Sequence, residues 1–453
     1  MRPFFSSVGV RSGLLQRPTV RKVIANTVWL GLDKVIGVVN GLIVGGWLAR
    51  YLGPEQYGIY VYVITFVALF APIAELGLTA IVVRNLVKEP ANKDKILGTA
   101  FALQFLGGLL GFALSVGVAY LSMTESPMTF AMVAIASIRL IFSFSSLVDS
   151  WFQSQLQSKY VVWVKNGVVL VVIILKVASI LLQASLMTFI WISLVEGALL
   201  AVGLLFAYQR SGQQFRNWLI IPSLGAQLLR DSWPLLISTL AVGVYVRIDK
   251  VILGGISGAE AVGIYSAAVV FVEVWYFVPT VVATSVFPVI VRTSLMQNAS
   301  VYRERMQYFY DTMAAMGYLI TFALIIFASP LVNTIFGPAY ASAAPVLSVY
   351  ALSLIFTFVG VARSKWMVTE NLNRVYMWTV IASAAVNIGL NYVLIPRIGA
   401  MGAAWATVIS YAFAAYVSCA FWPSLRPAFG QISLSLLIPF RFRAIQRAIN
   451  VIR

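Results

Sequence analysis

Histidine is absent from this chain of 453 residues, and cysteine occurs once, at Cys419. The lack of histidine excludes histidine triads, histidine-ligated metals and a histidine proton relay. A single cysteine excludes an internal disulfide and a cysteine-rich metal site. A Gly-x-x-x-x-Gly-Lys-Ser/Thr phosphate loop is also absent, which excludes ATP hydrolysis by that route. We therefore expect neither a metal nor a cofactor, and any proton transfer must use Asp, Glu, Tyr or water.

Charged side chains are scarce: 10% of the residues are charged and 60% are hydrophobic, with a mean hydropathy of +0.90. Soluble domains carry roughly a quarter charged residues, so this composition predicts an all-α integral membrane protein. A membrane-crossing helix needs about 20 apolar residues. The predicted spans are 23–49, 57–82, 97–121, 128–150, 160–182, 186–208, 231–254, 262–290, 311–336, 342–362, 375–395 and 401–422.

Basic residues are distributed unevenly between the segments that join these twelve spans. The loops that follow odd-numbered spans contain only Arg50 and Arg397. The termini and the loops that follow even-numbered spans contain 25 of the 32 Lys and Arg residues. The positive-inside rule therefore predicts that both termini are cytoplasmic, and the net charge of +17 needs no nucleic-acid partner. The acid-free N-terminus also has a transit-peptide character, but an anchor for the first span is the simpler interpretation.

A short repeat divides the chain into two halves. Residues 53–60 read Gly-Pro-Glu-Gln-Tyr-Gly-Ile-Tyr and residues 258–265 read Gly-Ala-Glu-Ala-Val-Gly-Ile-Tyr, each before an even-numbered span. An offset of six spans predicts a parallel repeat of two six-helix lobes. The predicted segments are a basic N-terminus (1–22), an N-lobe (23–209), a linker (210–230), a C-lobe (231–423) and a basic tail (424–453).

The tail carries a helical pattern of its own. Phe442, Ile445, Ile449 and Ile452 share one helical face, while the arginines mostly lie elsewhere. This pattern predicts an amphipathic helix on the anionic cytoplasmic leaflet. A disordered basic tail is the alternative.

The predicted outer loops are too short for a membrane-bound sugar polymerase, ligase or transferase, which generally needs a sizeable outer domain. We therefore expect a transporter, not an enzyme, driven by an ion gradient or by the substrate gradient.

Ionisable residues inside spans either pair with one another or face a wet cavity. We expect Arg139, Arg247 and Lys250 to line a cavity, where a diphosphate would bind several cations. Glu196 and Lys176 fit helix pairing better. The acids that could form a cation or proton site, or could equally pair helices, are Asp33, Glu75, Asp149, Asp249 and Glu273. Further candidate cations are Lys34, next to Asp33, and Arg363 and Lys365, placed by the sequence at the inner mouth of span ten.

Several stretches resemble the polysaccharide transporter family, the repeat-unit flippases of O-antigen, capsule and exopolysaccharide synthesis. This family is part of the multidrug/oligosaccharidyl-lipid/polysaccharide (MOP) superfamily. The stretches are Arg50-Tyr-Leu-Gly-Pro-Glu-Gln-Tyr-Gly-Ile-Tyr60, Glu75-Leu-Gly-Leu78 before Arg84, Asp249-Lys-Val-Ile-Leu-Gly254, Val262-Gly-Ile-Tyr-Ser-Ala-Ala268 with Glu273 and Phe287-Pro288, Phe336-Gly-Pro-Ala-Tyr340, and Asn387 with Asn391-Tyr-Val-Leu-Ile-Pro396 and Gly399-Ala-Met-Gly-Ala-Ala-Trp-Ala-Thr407. Their order and spacing cover about residues 20–425.

The resemblance implies a MATE-like fold with two lobes around a central cavity that opens alternately to each side. It implies an undecaprenyl-pyrophosphate-oligosaccharide substrate, moved across the bacterial cytoplasmic (inner) membrane. A polysaccharide polymerase and a chain-length regulator are possible partners beside the membrane lipids. Candidate sugar contacts are the aromatic residues Trp29, Trp47, Trp275, Tyr276, Trp366 and Trp378.

Three other functions stay open at this point. A drug or metabolite antiporter of the same superfamily would have an acid-dominated cavity, whereas acids and bases are mixed here. A lipid II flippase differs in the head group of its substrate. A non-transporting scaffold of polysaccharide assembly would tolerate changes in the cavity.

Overall fold

The computed structural model describes residues 18–122, 126–295 and 299–441. For residues 18–36 and a few scattered positions it describes the backbone but not the side chains. In these residues the chain forms helices and no strand. The first seven α-helices are α1 (Pro18–Ala68), α2 (Ala71–Glu75), α3 (Leu78–Lys88), α4 (Lys93–Ser122), α5 (Pro127–Ser137), α6 (Ser146–Ser154) and α7 (Ser158–Leu181). The next six are α8 (Leu186–Arg210), α9 (Pro222–Glu273), α10 (Phe277–Leu295), α11 (Ala299–Ile326), α12 (Ala328–Ile335) and α13 (Ala343–Ala351). The last four are α14 (Ser353–Thr369), α15 (Asn373–Ala412), α16 (Ser418–Phe421) and α17 (Arg426–Leu436).

Nine helical stretches in the described part of the chain are long and apolar enough to cross a membrane. The chain is therefore a multi-pass membrane protein, and the predicted all-α membrane class is confirmed. Three of these stretches, Asn40–Lys88, Pro222–Phe287 and Arg374–Phe421, run for 48 residues or more, at least about twice the length that a bilayer requires. Each contains a predicted outer loop. The count of twelve crossings stays a prediction.

Non-helical residues interrupt the longest helices at those loops. In α1 the break lies at Gly53 (φ 73°, ψ 170°), in α9 at Gly258 (φ 82°, ψ 177°), and in α15 at Ile398 and Gly399. Gly53 and Gly258 are the first residues of the two repeat copies. The copies thus share a backbone conformation as well as residues, and it is a conformation open essentially to glycine alone.

The described chain divides into two compact units. The first extends to Val251 and the second begins at Ile252. The first unit therefore includes the predicted linker and most of predicted span seven. The sequence places the lobe boundary before that span, and its lobe assignment stays a prediction.

Apolar residues of α3, α4, α6 and α8 form a buried core in the first unit. Leu78, Leu97, Phe152 and Tyr208 have no solvent exposure. Tyr208 also accepts a hydrogen bond from Trp218 Nε1 at 3.1 Å. The linker segment is thereby packed against the first-unit helices.

In the second unit α11 packs against α14, where Gly317 allows a close approach: an added Cβ would lie 3.1 Å from Ile355 Cα. The short helix α17 also packs on α11. Ile432 is fully buried, and Tyr318 donates a hydrogen bond to the Leu436 carbonyl at 2.8 Å. The sequence assigns this segment to the basic tail, and in the structure it packs against α11. The predicted amphipathic helix at 440–453 falls almost wholly outside the described residues.

Candidate functional site

The helix of predicted span two is broken beside Glu75. Helix α2 ends at Glu75, and Leu76 (φ 53°) and Gly77 (φ 63°) both adopt the left-handed conformation before α3 begins at Leu78. Two consecutive left-handed residues cannot continue an α-helix. Carbonyl groups next to the break therefore lose their helical hydrogen bonds inside the membrane region. Irregular backbone at this depth is tolerated only where protein or a wet cavity satisfies it.

Side chains of neighbouring helices satisfy the released carbonyls. The fully buried Gln104 on α4 donates from Nε2 to the Glu75 carbonyl at 3.2 Å, and Ser143 donates to the Ala74 carbonyl at 3.3 Å. Ser146 in turn donates to Gln104 Oε1 at 3.2 Å. The carboxylate of Glu75 is half-buried at this point. Sequence reasoning missed Gln104; its only signal was a polar amide in the middle of an apolar span.

Gly77 also permits a close backbone contact with α9. A Cβ at this position would lie 2.6 Å from Leu236 N and 2.9 Å from the Ser232 carbonyl oxygen. Further along α3, Arg84 forms an ion pair with Asp231 in the first half of α9. The broken helix is thus joined to the first half of α9 at two levels.

The two residues of that ion pair also line a polar cavity of about 500 Å³. Its lining includes Arg84, Lys88, Lys95, Glu89 and Asp231. Acids and bases are both present, and Arg84 is already neutralised by Asp231. The cavity therefore has little net charge of its own.

Two predicted cavity arginines have no side-chain partner in the described residues. Arg139 is half-buried in a 3-10 segment, Ile138–Ser145. This segment lies close to Gly197 on α8, since a Cβ added to Gly197 would lie 3.3 Å from the Arg139 Cβ. Arg247 lies exposed on α9. Among the described residues, neither guanidinium forms a hydrogen bond or an ion pair with a side chain.

The remaining charges of the first unit behave differently. Asp149 forms an ion pair with Lys165 on α7 at 2.8 Å, which favours the helix-pairing interpretation of Asp149. Asp249 is buried, and its Oδ1 accepts the backbone N–H of Lys250 at 2.8 Å. Glu196 and Lys176 form no ion pair with the described residues. The side chains of Asp33, Lys34 and Trp29 lie outside the described residues.

In the second unit Glu273 is followed by a 3-10 turn, Val274–Tyr276. The turn brings the Tyr276 hydroxyl to 3.4 Å from the Tyr350 hydroxyl, and Tyr265 packs edge-on against Tyr350 at 5.8 Å. Glu273 and Trp275, both half-buried, lie just before Tyr276 in sequence. The hydroxyl groups of this tyrosine cluster could bind a cation or a sugar.

Arg363 and Lys365 are separated by the fold. The sequence places both at the mouth of a helix, but α14 continues to Thr369, and Arg363 is only 3% exposed. Lys365 is half-buried, with Nζ 5.2 Å from the centre of the Phe287 ring. Lys365 is thus the more accessible of the two cations.

Asn387 and Asn391 lie one turn apart on α15 and are both buried. Asn391 Nδ2 donates to Asn387 Oδ1 at 3.0 Å. The amide pair provides polar groups in the interior of the second unit.

Three solved structures with a similar fold are two transporters and a flippase. An inward-facing multidrug resistance MATE family transporter of the MOP superfamily is 13% identical, with a TM-score of 0.67 over 89% of this chain and 98% of that chain. The lipid II flippase MurJ, in an inward closed conformation, is 16% identical, with a TM-score of 0.66 over 94% and 97%. A MOP superfamily transporter from Pyrococcus furiosus is 13% identical, with a TM-score of 0.56 over 95% and 96%. The fold is that of the MOP transporters.

Residues 23–294 match the family model described as polysaccharide biosynthesis protein. Because the match spans more than half of the chain, the chain belongs to this family, and the family resemblance of the sequence motifs is confirmed. No curated protein matches the chain in sequence.

Proposed function

We propose that this protein is a flippase that moves undecaprenyl-pyrophosphate-linked oligosaccharide repeat units across the bacterial cytoplasmic membrane by alternating access. Family membership supports a role in polysaccharide synthesis, and the MOP fold supports transport. The observation that carries the substrate class is the pair Arg139 and Arg247. Both belong to predicted spans, and neither has a side-chain partner among the described residues.

Arginine keeps its charge at any physiological pH. A guanidinium within the membrane region therefore needs water or an anionic ligand when the protein supplies no carboxylate. A diphosphate provides that ligand, since it can accept two parallel hydrogen bonds from one guanidinium. In our proposal Arg139, Arg247 and Lys250 of the first unit bind the diphosphate. Lys365, Trp275 and Tyr276 stay candidate substrate contacts of the second unit. Arg363 is not included, because its burial denies access to a bulky ligand.

Coupling to an ion gradient is the second part of the proposal. Glu75 lies at a break in a membrane helix, and Glu273 lies beside a cluster of tyrosine hydroxyls. Carboxylates next to irregular backbone are suitable sites for a proton or a cation. We assign the coupling role to these two residues, with Asp33 and Asp249 as further candidates.

Translocation in proteoliposomes tests the function. A lipid-diphosphate oligosaccharide with a fluorescent sugar is placed in the outer leaflet, and protection from a membrane-impermeant quencher is followed with and without a pH or sodium gradient. We expect protein-dependent protection. Arg139→Gln and Arg247→Gln should each lower the rate at least tenfold, because each removes a charge-assisted hydrogen bond.

Arg210→Gln is the matched control. Arg210 lies at the end of α8, with its guanidinium 5.0 Å from the Phe206 ring, and its loss removes the same charge. The Arg210→Gln variant should move the lipid at the wild-type rate. Movement that is unaffected in both test variants would contradict the diphosphate role. Transport of an organic cation without movement of the lipid would favour the drug or metabolite antiporter. A preference for lipid II would favour a lipid II flippase.

A further inference from the structure

The polar cavity beside the ion pair of Arg84 and Asp231 has no part in the proposed transport mechanism. Its volume of about 500 Å³ is within the range that is typical of ligand sites. The end of α3, the start of α4 and the first turns of α9 form its wall, all within the first unit. Lys88, Lys95 and Gln227 are exposed in this wall, so a ligand can reach the cavity from outside.

Both acids of the cavity already accept hydrogen bonds, whereas two of its cations have no partner. Asp231 is paired with Arg84, and Glu89 Oε2 accepts from Asn92 Nδ2 at 3.0 Å. Among the described residues, neither Lys88 nor Lys95 forms an ion pair or a hydrogen bond with a side chain. The free charged groups are therefore ammonium groups, which only donate hydrogen bonds. Such a cavity favours an anion.

The charge of the cavity limits the charge of that anion. Three basic and two acidic side chains line it, which gives a net charge of +1. A single negative charge neutralises the cavity, whereas a diphosphate would leave an excess of negative charge. Neutral donors are also present: the Asn85 oxygen accepts from Arg84 Nε at 3.1 Å, which leaves its amide NH₂ group to donate, and Gln227 lines the opposite wall.

Exposed apolar side chains lie next to the cavity. The Leu219 N–H donates to the carbonyl of Asp94 at 3.1 Å, which fixes this segment beside the start of α4. The side chains of Leu219 and Ile220 are exposed, and so is that of Val87 at the end of α3. In a membrane protein such side chains contact lipid, so the cavity combines a polar interior with an apolar rim at the membrane surface.

We propose that this cavity binds the head group of a phospholipid with one negative charge, such as phosphatidylglycerol. Lys88 and Lys95 bind the phosphodiester, the neighbouring amides bind the glycerol hydroxyls, and the acyl chains lie against the exposed apolar residues. The cavity is on the predicted cytoplasmic side, where basic pockets between membrane helices are typical sites for anionic head groups. It shares no residue with the proposed diphosphate site.

Native mass spectrometry of the purified full-length protein in a neutral detergent tests the site, because it resolves each bound lipid. Phosphatidylglycerol is compared with phosphatidylcholine, which has the same phosphodiester but no net charge. We expect the first phosphatidylglycerol to bind at least about tenfold more tightly, since each nearby cation contributes about 1 kcal/mol to the binding of an anionic lipid.

A double variant and a matched control assign the lipid to the cavity. Lys88→Gln/Lys95→Gln should weaken the binding of phosphatidylglycerol at least about tenfold and leave that of phosphatidylcholine unchanged. Lys159→Gln/Arg210→Gln removes two exposed charges from the same predicted side, outside the cavity. This control should bind both lipids as the wild type does.

Asp231→Asn should have the opposite effect. It frees Arg84 from its carboxylate and raises the net charge of the cavity by one, so phosphatidylglycerol should bind about fivefold more tightly. Both side chains of this ion pair are partly exposed, so its loss costs little stability. A purely structural role of the cavity does not predict tighter lipid binding in this variant.

Equal affinity of the wild type for the two lipids overturns the proposal, and so does an equal loss in the double variant and its control, which would indicate general surface charge. Displacement of the lipid by an equal concentration of glycerol 3-phosphate would indicate a site for soluble phosphates instead. Displacement by undecaprenyl diphosphate, with its binding lost in Lys88→Gln/Lys95→Gln, would assign the cavity to the transport substrate. The wild-type comparisons decide the question even if a variant does not fold.

Discussion

Individual charges in the membrane region have different environments, although they look alike in sequence. Asp149 is neutralised by Lys165, whereas Arg139 has no side-chain partner among the described residues. An ion pair between helices is a packing element, and an unpaired arginine is a candidate ligand-binding group. The difference depends on which residue faces which across a helix contact, and that is not encoded in local sequence.

The ion pair of Asp149 and Lys165 should make a small but measurable contribution to stability. Both side chains are about one third exposed, so we expect a coupling free energy of about 0.5 kcal/mol in a double-mutant cycle. The cycle uses Asp149→Asn, Lys165→Gln and the double variant, with thermal unfolding as the measurement. Glu196→Gln, which removes an acid without an ion pair in the described residues, is the control and should leave Tm unchanged. Strictly additive effects of the two single changes would show that the pair is not coupled.

Among the helices, the breaks are more informative than the regular segments. Gly53 and Gly258 interrupt α1 and α9 in the same conformation, and a proline follows only Gly53. Glycine is therefore the common requirement of the two loops, because a β-carbon is disfavoured at these backbone angles.

Gly53→Ala and Gly258→Ala should each destabilise the protein by about 1–3 kcal/mol. The cause is backbone strain alone, since an added Cβ would meet no atom within 4 Å at either position. Gly45→Ala is the matched control on α1: its Cβ also meets nothing within 4 Å, but the backbone there is helical. Alanine should be neutral or slightly stabilising at that position. Equal Tm values for all three variants would contradict the strain argument.

For the molecule as a whole, orientation in the membrane is the property that basic residues predict. The single cysteine, Cys419, is fully buried, so an introduced cysteine is the only thiol that a water-soluble maleimide should reach. Ser126→Cys lies in a predicted outer loop and Ala91→Cys in a predicted inner one, and both positions are exposed.

Labelling in intact cells measures the orientation. We expect Ser126→Cys to react directly and Ala91→Cys to react only after permeabilisation, since 25 of the 32 Lys and Arg residues lie on the predicted inner side. The unmodified protein is the control for the background of Cys419. The reverse pattern would place the termini outside and contradict the predicted direction of transport.

Hydropathy was enough to predict a helical membrane protein, because a bilayer admits only segments whose backbone groups are paired within themselves. The order of the motifs was enough to indicate the family. Some motif residues, such as Gly53 and Gly258, are required by the local backbone conformation and can therefore be recognised in the sequence. These are local properties, which depend on neighbouring residues in the chain and on the apolar solvent around them.

Long-range packing decided the rest. Arg84 and Asp231 are 147 positions apart, and Gln104 reaches the carbonyl of Glu75 from another helix. The sequence places Arg363 at a helix mouth, because predicted span ten ends at residue 362. In the structure α14 extends past Arg363, and Ser418 and Thr379 bind its guanidinium. Residue order alone determines that a charge lies near a helix end. Whether that charge meets water, a carboxylate or neither depends on which helices pack around it, and only the tertiary structure specifies those neighbours.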